Sequence, residues 1–259
     1  MDNAILGFRR RLVMNTKQPH VTIVIPVFNE QERIAKTLYS IKDYLSHQTY
    51  ASDVLIIDDG SSDLTSEIVR VVDFYSEEVK AQSSGVLVEN IKNVGKGYSI
   101  AKGLLMAKGD IIAFTDADCS TPIEEIEKLI SKINNGDDVV IGSRNLQASH
   151  VENRPAIRGL LSRSFNMFAR VLGLMSVSDS QCGFKAYRRE AARDVAERQK
   201  TYGYCFDVEH IHIAKKLGYK VTEVPVSWRH DDGSTLSLIQ DSLLMFIDLL
   251  KIRWIHRKL

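Results

Sequence analysis

Asp116 and Asp118, in FTDADCSTP (residues 114–122), stand one residue apart at the end of an apolar run. Like charges that close repel, and burial at a strand end raises both pKa values. Residue chemistry alone leaves two readings. Asp is favoured where helices start, so the acids can be incidental to a strand-to-helix turn; or they grip a divalent cation against a substrate phosphate. His210 and His212 are a weaker constellation, because residues two apart face different sides of a helix and do not make a metal pair. The glycines of NVGKG (residues 93–97) lack the spacing and the Lys–Ser/Thr order of a Walker phosphate loop. They suit a tight strand-to-helix turn, with Lys96 as a donor-phosphate contact. Cys119, Cys182 and Cys205 are odd in number and widely spaced, which fits neither a zinc cluster nor a disulfide framework and suits a reducing cytosol.

The elements that must position these residues show in the periodicity. Apolar strand-like runs occur at VTIVIPVF (21–28), DVLIID (53–58), GVLVEN (85–90), DIIAFTD (110–116) and DVVIGS (138–143). Between the first two, Asn29 and Glu32 read as a capping box before Ile34, Leu38, Ile41 and Leu45 at helical spacing. Ile68, Val71, Val72 and Tyr75 form the next helical stripe. A third helix covers GKGYSIAKGLLMAKG, closed by Gly109 at a C′ position. Thr121 as N-cap, Pro122 at N1 and Glu124 at N3 open a fourth, running through Ile133. Continuous apolar strands alternating with helices predict an α/β fold with a parallel sheet covered on both faces.

Ligands of such sheets gather outside the carboxyl ends of the strands. Residues 26–30, 58–63, 93–96, 116–121 and 142–144 then share one rim, and Asp58, Asp59, Asp116 and Asp118 become neighbours. An acidic rim needs a cation or hydrogen-bond donors. Two chemistries fit. Asp116, Asp118 and Ser120 loosely echo the DxDx(T) signature of phosphatases with an Asp nucleophile, but that motif ends the first strand of its domain, and here three strands precede it. The alternative is transfer from a nucleotide diphosphate sugar, with a metal bridging the two phosphates and earlier strand ends holding base and ribose. The motif order favours transfer.

A chain of 259 residues with 44% hydrophobic content is long enough to bury one large core and is neither disordered nor fibrous. A net charge of +1 provides no global field for nucleic acid. The opening MDNAILGFRRRLVMNTKQPH is too short in apolar residues, and in the wrong order, for a signal peptide. No window reaches the ~18 uninterrupted apolar residues of a membrane span. LSLIQDSLLMFIDLLKIRWIHRKL comes nearest, broken by Asp241, Asp248, Lys251 and Arg253, with Lys251, Arg253, Arg257 and Lys258 gathered beside Trp254 and Ile255. It suits a helix lying on a membrane surface, or a core helix with a cationic last turn. Residues 145–159 lack periodicity and are expected to form a mobile loop over the site, ordering on substrate binding.

IPVFNEQERI, IIDDGSSDLT, NVGKGYSIAKGLLMAKGD, FTDADCSTP, VIGSR, DSQCGFKAYRREAA, FDVEHIHIAKKLGY and EVPVSW, in that order, resemble the family 2 glycosyltransferases of GT-A fold. Within that family the chain is similar to the polyprenyl-phosphate sugar transferases, above all the dolichyl-phosphate glucosyltransferase type. DSQCGFK, FDVE and GSTL (233–236) carry the likeness to enzymes with a lipid-phosphate acceptor. The resemblance implies a Rossmann-like GT-A domain over 21–235, a basic extension over 1–20, and a C-terminal helix over 236–259 touching the membrane surface. It implies that Pro26, Phe28 and Glu30 line the nucleoside pocket, that Ile57 and Asp59 hold base and ribose, and that Asp58 caps the turn. Asp116 and Asp118 would hold Mg²⁺ or Mn²⁺ against the diphosphate, with Ala117 allowing close approach and Ser120 near the metal. Mannosyl relatives have Gln in the place of Ser120, and glucosyl relatives often have Lys in the place of Thr235. Arg144 would meet the donor or acceptor phosphate; Arg229, with Lys185 and Ser234, would meet the acceptor phosphate. Arg188 and Arg189 could add charge, or be a solvated helix start. Asp207 and Glu209 would position the sugar, or serve as base for a hydroxyl acceptor; Asp207 also suits a helix N-cap.

A phosphate acceptor is already largely ionised at neutral pH, with a second pKa of about 6, so it needs no general base. The implied activity is inverting transfer of a hexose, glucose from UDP-glucose first and mannose from GDP-mannose second, to a polyprenyl phosphate by a peripheral protein on the cytoplasmic face of a membrane. A glycan acceptor on the same fold is the near alternative; a metal-dependent phosphatase or a non-catalytic nucleotide-sugar binder would be a different class.

Overall fold

The computed structural model describes residues 18–72, 83–230 and 240–259. β1 (Val21–Val27), β2 (Ser52–Asp58), β3 (Ser83–Glu89), β4 (Ile111–Thr115) and β5 (Val139–Ser143) fall on the five apolar runs. They belong to a seven-stranded sheet that also contains β7 (Phe184–Arg188) and β8 (Val221–Pro225), in the order β3-β2-β1-β4-β7-β5-β8. A separate ribbon pairs β6 (His150–Glu152) with β9 (Ser227–Arg229). All neighbours in the main sheet are parallel except β7, which runs antiparallel between β4 and β5. The sheet is therefore mostly parallel. β7 reads FKAYR, and Lys185 and Arg188 break its apolar run, so no continuous apolar stretch announced it.

Helices α1 (Ile34–Ser46), α2 (Thr65–Val71), α3 (Lys96–Met106), α4 (Ile126–Asn134), α5 (Ala156–Val171), α6 (Arg189–Arg198), α7 (Phe206–Lys216) and α8 (Gln240–Ile255) complete the described elements. Strand alternation builds two cores. Val21, Ile23, Ile25 and Val27 bury on one face with Ile34, Leu38, Leu129 and Ile130. Val24, Leu55 and Ile57 point to the other face, with Ile100, Leu104, Tyr187, Val195, Ile211, Leu249 and Ile252.

Several expected helix ends differ. Asn29 is no cap: at φ 52° it turns the chain after β1, and its Oδ1 accepts from the Ser62 N–H at 2.9 Å. No side-chain cap is present at the start of α1. Thr121 is buried, and a 3₁₀ turn over Ile123–Glu125 precedes α4, again without a side-chain cap. α3 ends at Met106; Gly109 instead lets the chain press on β1, where a Cβ would stand 2.6 Å from the Thr22 nitrogen. On α2, Val69 is buried and Val71 exposed, since the helix ends at Val71 instead of running through the expected stripe, and Tyr75 lies outside the described residues. Residues 145–159 carry β6 and the start of α5 rather than a structureless lid; the Ser149 hydroxyl ties them to the Ser143 carbonyl at 2.6 Å.

α8 packs into the core along one side. Leu249 and Ile252 are fully buried, while Ile247, Leu250, Trp254 and Ile255 stay exposed. Among the described residues no helix is long and apolar enough to cross a membrane.

Candidate functional site

The rim after β1, β2 and β4 is built by hydrogen bonds that use up some of its acids. Asp58 is buried and accepts from the Ser61 N–H at 2.8 Å, the Ser61 hydroxyl at 2.7 Å and the Ser66 hydroxyl, which closes the β2 turn. Asp59, also buried, accepts from Asn90 Nδ2 at 2.8 Å, Val94 N–H at 3.0 Å and Gly95 N–H at 2.8 Å. It anchors the segment leading into α3. Pro26 and Ile57 are buried in the sheet, so only their backbones reach the rim, whereas Phe28 is 41% exposed beside it. Glu30 is held by Arg33 at 2.7 Å. Burial raises its pKa against the pull of Arg33, and the charges of Asp118 and Asp116 raise it further.

The DAD loop is locked from α1, where the Thr37 hydroxyl donates to the Ala117 carbonyl at 2.6 Å. Cys119 takes a left-handed φ of 52°, and the Ser120 N–H closes onto Asp118 Oδ1 at 2.9 Å. Asp116 packs so tightly on Gly183 that a Cβ there would stand 2.0 Å from Oδ2. Its Oδ1 meets Lys96 Nζ at 2.6 Å, with both side chains about one-third exposed. Although burial opposes its charge, Asp116, Asp207 and Asp118 hold the Lys96 pKa above the ordinary value. Burial, and then the Asp116 charge, raise Asp118 above the usual carboxylate range. Asp116, Asp207 and Asp118 thus gather negative charge around the Lys96 ammonium.

Below the rim, Lys185 is fully buried, paired with Asp207 and donating to the Cys182 carbonyl at 2.6 Å. It cannot touch an acceptor directly. Asp207 sits inside α7, whose N-cap is Cys205, and burial raises its pKa despite Lys185. Glu209 is fully buried and bonded to Lys200 N–H, Thr201 N–H and His256, so it is no accessible base. Arg188 pairs with Asp138 and Arg189 with Asp110. Antiparallel β7 carries both to the opposite end of β4, where Arg188 is in register with Ile111. His210 bonds to Gln199 and Tyr187, and burial pushes its pKa down to about 3.

Arg144, after β5, forks onto fully buried Asp179 at 2.7 and 2.8 Å and covers Trp228 at 5.4 Å. Despite its burial, Asp179 is held at about 2 by Arg144. Arg144 also lines a cavity of about 450 Å³ with Asn145, Val151, Arg154, Arg163, Arg170 and Ser178. Burial, with Arg144 and Arg163 nearby, lowers the Arg154 pKa. Among the described residues, Arg154, Arg163 and Arg170 form no salt bridge, so positive charge predominates in the cavity lining. Arg163 and Arg170 are seven apart on α5, a spacing that puts them on one face and was readable once a helix was known there. On a neighbouring face of α5, Ile157, Leu160, Met167 and Val171 are all exposed. Arg229 is tied to the DAD loop through its N–H, which donates to the Ser120 carbonyl at 2.9 Å. Ser234 and Thr235 lie outside the described residues.

Comparison with known proteins gives a consistent family. The model of the family described as Glycosyl transferase family 2 matches residues 22–196. The dolichyl-phosphate beta-glucosyltransferase ALG5C of Trichomonas vaginalis is 34% identical over 251 residues, covering 93% of this chain and 72% of that protein. The dolichyl-phosphate beta-glucosyltransferase of Saccharomyces cerevisiae is 32% identical over 249 residues, covering 90% of this chain and 74% of that one. Among solved structures, glucosyl-3-phosphoglycerate synthase from Mycobacterium tuberculosis in complex with UDP superposes with a TM-score of 0.68 at 20% identity, covering 91% of this chain and 80% of that one. At that identity the match bears on the fold, which is that of the GT-A glycosyltransferases.

Proposed function

The chain belongs to glycosyl transferase family 2, and from that premise we propose that it transfers glucose from UDP-glucose to dolichyl phosphate, working as a peripheral protein on the cytoplasmic face of a membrane. The names of its dolichyl-phosphate beta-glucosyltransferase relatives support the sugar and the acceptor class. The observation that carries the acceptor reading is the pairing, on α5, of the arginine-lined cavity with the exposed stripe of Ile157, Leu160, Met167 and Val171. A polyprenyl phosphate asks for both: cationic donors for its head and apolar surface where its chain and the surrounding lipid lie. The exposed Ile247, Leu250 and Trp254 of α8 extend that apolar surface, because α5 and α8 pack together through Phe165, Phe168 and Phe246.

The donor belongs at the acidic rim, with Phe28 and Glu30 beside the nucleoside and Lys96 facing the diphosphate. Asp116 and Asp118 suit a hard divalent cation, Mg²⁺ or Mn²⁺: two carboxylates, one of them destabilised by burial and by its neighbour, gain from a positive charge between them. Among the described residues no cluster of three or more acids, His or Cys completes a cage, so such an ion would draw its remaining ligands from the diphosphate and water. When bound, it would neutralise the diphosphate as the nucleotide leaves. Ser120 supports Asp118 through its N–H.

The protein's own groups do the rest by positioning and charge. Arg154, Arg163 and Arg170 hold the acceptor phosphate and offset its repulsion from the donor diphosphate, while Arg144, oriented by Asp179, and Arg229 border the path between the two. A phosphate monoester needs no proton removed before it attacks the anomeric carbon. That requirement agrees with a site whose carboxylates Asp207 and Glu209 are both committed to internal partners. One displacement then inverts the sugar centre.

The test is incubation of the protein with dolichyl-phosphate vesicles, Mg²⁺ or Mn²⁺ and labelled UDP- and GDP-sugars, followed by organic extraction. Label is expected in the lipid phase from UDP-glucose. Label from GDP-mannose alone would replace the donor, and no lipid-phase label from any donor would remove the acceptor claim.

A further inference from the structure

Lys96 is clamped from both sides at its backbone. On one side Asp59 holds the Val94 and Gly95 N–H groups. On the other, residues 199–203 are pressed onto the first turn of α3. The Gly97 N–H donates to the Tyr202 carbonyl at 2.8 Å, and Gln199 Nε2 bonds the Gly97 and Thr201 carbonyls at 2.8 and 2.7 Å. The approach is too close for a side chain. A Cβ on Gly95, whose φ is 117°, would stand 2.4 Å from the Tyr202 oxygen, and one on Gly97 would stand 2.7 Å from the Thr201 oxygen.

What holds 199–203 in that place is Glu209. Its two oxygens accept the Lys200 N–H at 2.9 Å and the Thr201 N–H at 2.8 Å, and its third partner is His256 Nε2 at 2.6 Å, in the turn after α8. Glu209 and His256 are 0% and 4% exposed, so no water stands ready to replace either partner. A buried carboxylate that loses a donor loses part of what stabilises its charge, and its remaining bonds loosen with it.

We propose that His256 is a positioning residue for sugar transfer: through Glu209 it fixes residues 199–203 on the start of α3 and thereby sets where the Lys96 ammonium stands relative to Asp116. The inference rests on the donor reading of the Lys96–Asp116 rim. It ties the extreme C-terminal turn, 47 residues from Glu209 in sequence, to the donor phosphates.

The test uses the full chain and reads the KM for UDP-glucose, the KM for dolichyl phosphate and kcat in His256→Gln, His256→Leu, Lys96→Ala and the Lys96→Ala/His256→Leu pair, with UDP binding measured by calorimetry on the same proteins. His256→Leu should raise the donor KM and the UDP dissociation constant about fivefold to tenfold and leave the acceptor KM unchanged. His256→Gln, whose amide nitrogen can occupy the place of Nε2, should return both to within about twofold of wild type. In the Lys96→Ala background, His256→Leu should add less than about twofold, since the group it positions is gone. Should His256→Leu fail to fold, His256→Asn, too short to reach Glu209, takes its place in every comparison. An unchanged donor KM in the variant, or the same loss with and without Lys96, overturns the proposal. A wild type with no transferase activity would instead overturn the functional reading beneath it.

Discussion

Gly183→Ala is the sharpest perturbation available, because it adds one carbon at the tightest Cβ position among the described glycines. That carbon would lie 2.0 Å from Asp116 Oδ2, 2.3 Å from Cγ and 2.4 Å from Oδ1, where ordinary contact begins at 3.4 Å. The carboxylate must therefore retreat by about 1.4 Å, or Gly183 must move with the start of β7. Asp116 holds Lys96 at 2.6 Å, and a retreat of that size takes the pair out of hydrogen-bond range. A hydrogen bond to a charged group contributes about 1.5–3 kcal/mol, which at about 1.4 kcal/mol per decade corresponds to roughly a 10- to 150-fold fall in kcat/KM if the geometry matters in the transition state. Gly183 does not use a left-handed φ, so alanine brings no backbone penalty of that kind. Overpacking of about 1–3 kcal/mol would lower the melting temperature by up to roughly 10 °C and leave the protein folded at assay temperature. The assay is steady-state transfer from UDP-glucose to detergent-dispersed dolichyl phosphate, run beside a thermal melt. A kcat/KM within about twofold of wild type would refute the claim that the Asp116 position governs the reaction.

Asp118→Asn should trade function for stability. Burial and Asp116 raise the folded-state pKa of Asp118 above 3.8, so the folded protein holds that proton more tightly than the unfolded chain, and ionisation costs stability as pH rises from 3.8 through the raised value. The variant should melt above wild type at pH 7, lose that advantage below pH 3.8, fail to transfer sugar and show no stabilisation by Mn²⁺; equal melting at pH 7 would contradict the electrostatic reading. Asp179→Ala should do the reverse. Arg144 holds Asp179 at about 2 despite burial, so its contribution is fully present above 3.8 and is lost as pH falls through about 2. Removing it leaves Arg144 unpaired in a buried place and should cost about 3–5 kcal/mol at neutral pH, measurable by urea denaturation. Leu160→Asp with Met167→Asp should weaken sedimentation with dolichyl-phosphate vesicles at least about tenfold and leave UDP binding in the absence of lipid unchanged. Arg163→Glu with Arg170→Glu should raise the acceptor KM more than about tenfold while the donor KM holds steady, since the like charge now faces the phosphate.

Local periodicity and the order of strands and helices along the chain were determined by the amino-acid sequence itself. Ile23 and Ile25 alternate with Val24, and Ile56 with Leu55 and Ile57, so period two sends them to opposite faces of a sheet and two cores follow. Parallel strands joined by helices put their carboxyl ends on one rim, which is why Asp116, Asp118 and Lys96 could be expected together from spacing alone. Which charges remain available was decided by tertiary structure. Lys185 and Asp207 lie 22 residues apart, and Arg144 and Asp179 lie 35 apart, yet each pair closes in the interior. Glu209, expected to position the sugar or to act as base for a hydroxyl acceptor, is instead bonded to three partners, one of them His256. The arginines of the α5 cavity were passed over because no local pattern separates a solvated arginine from one facing its like. Periodicity is a property of neighbours in the chain, whereas charge compensation depends on distance in space. For Lys185, Arg188 and Arg189 that distance was fixed by β7, running antiparallel between β4 and β5, which buries Lys185 and carries the two arginines to the end of the sheet opposite the acidic rim.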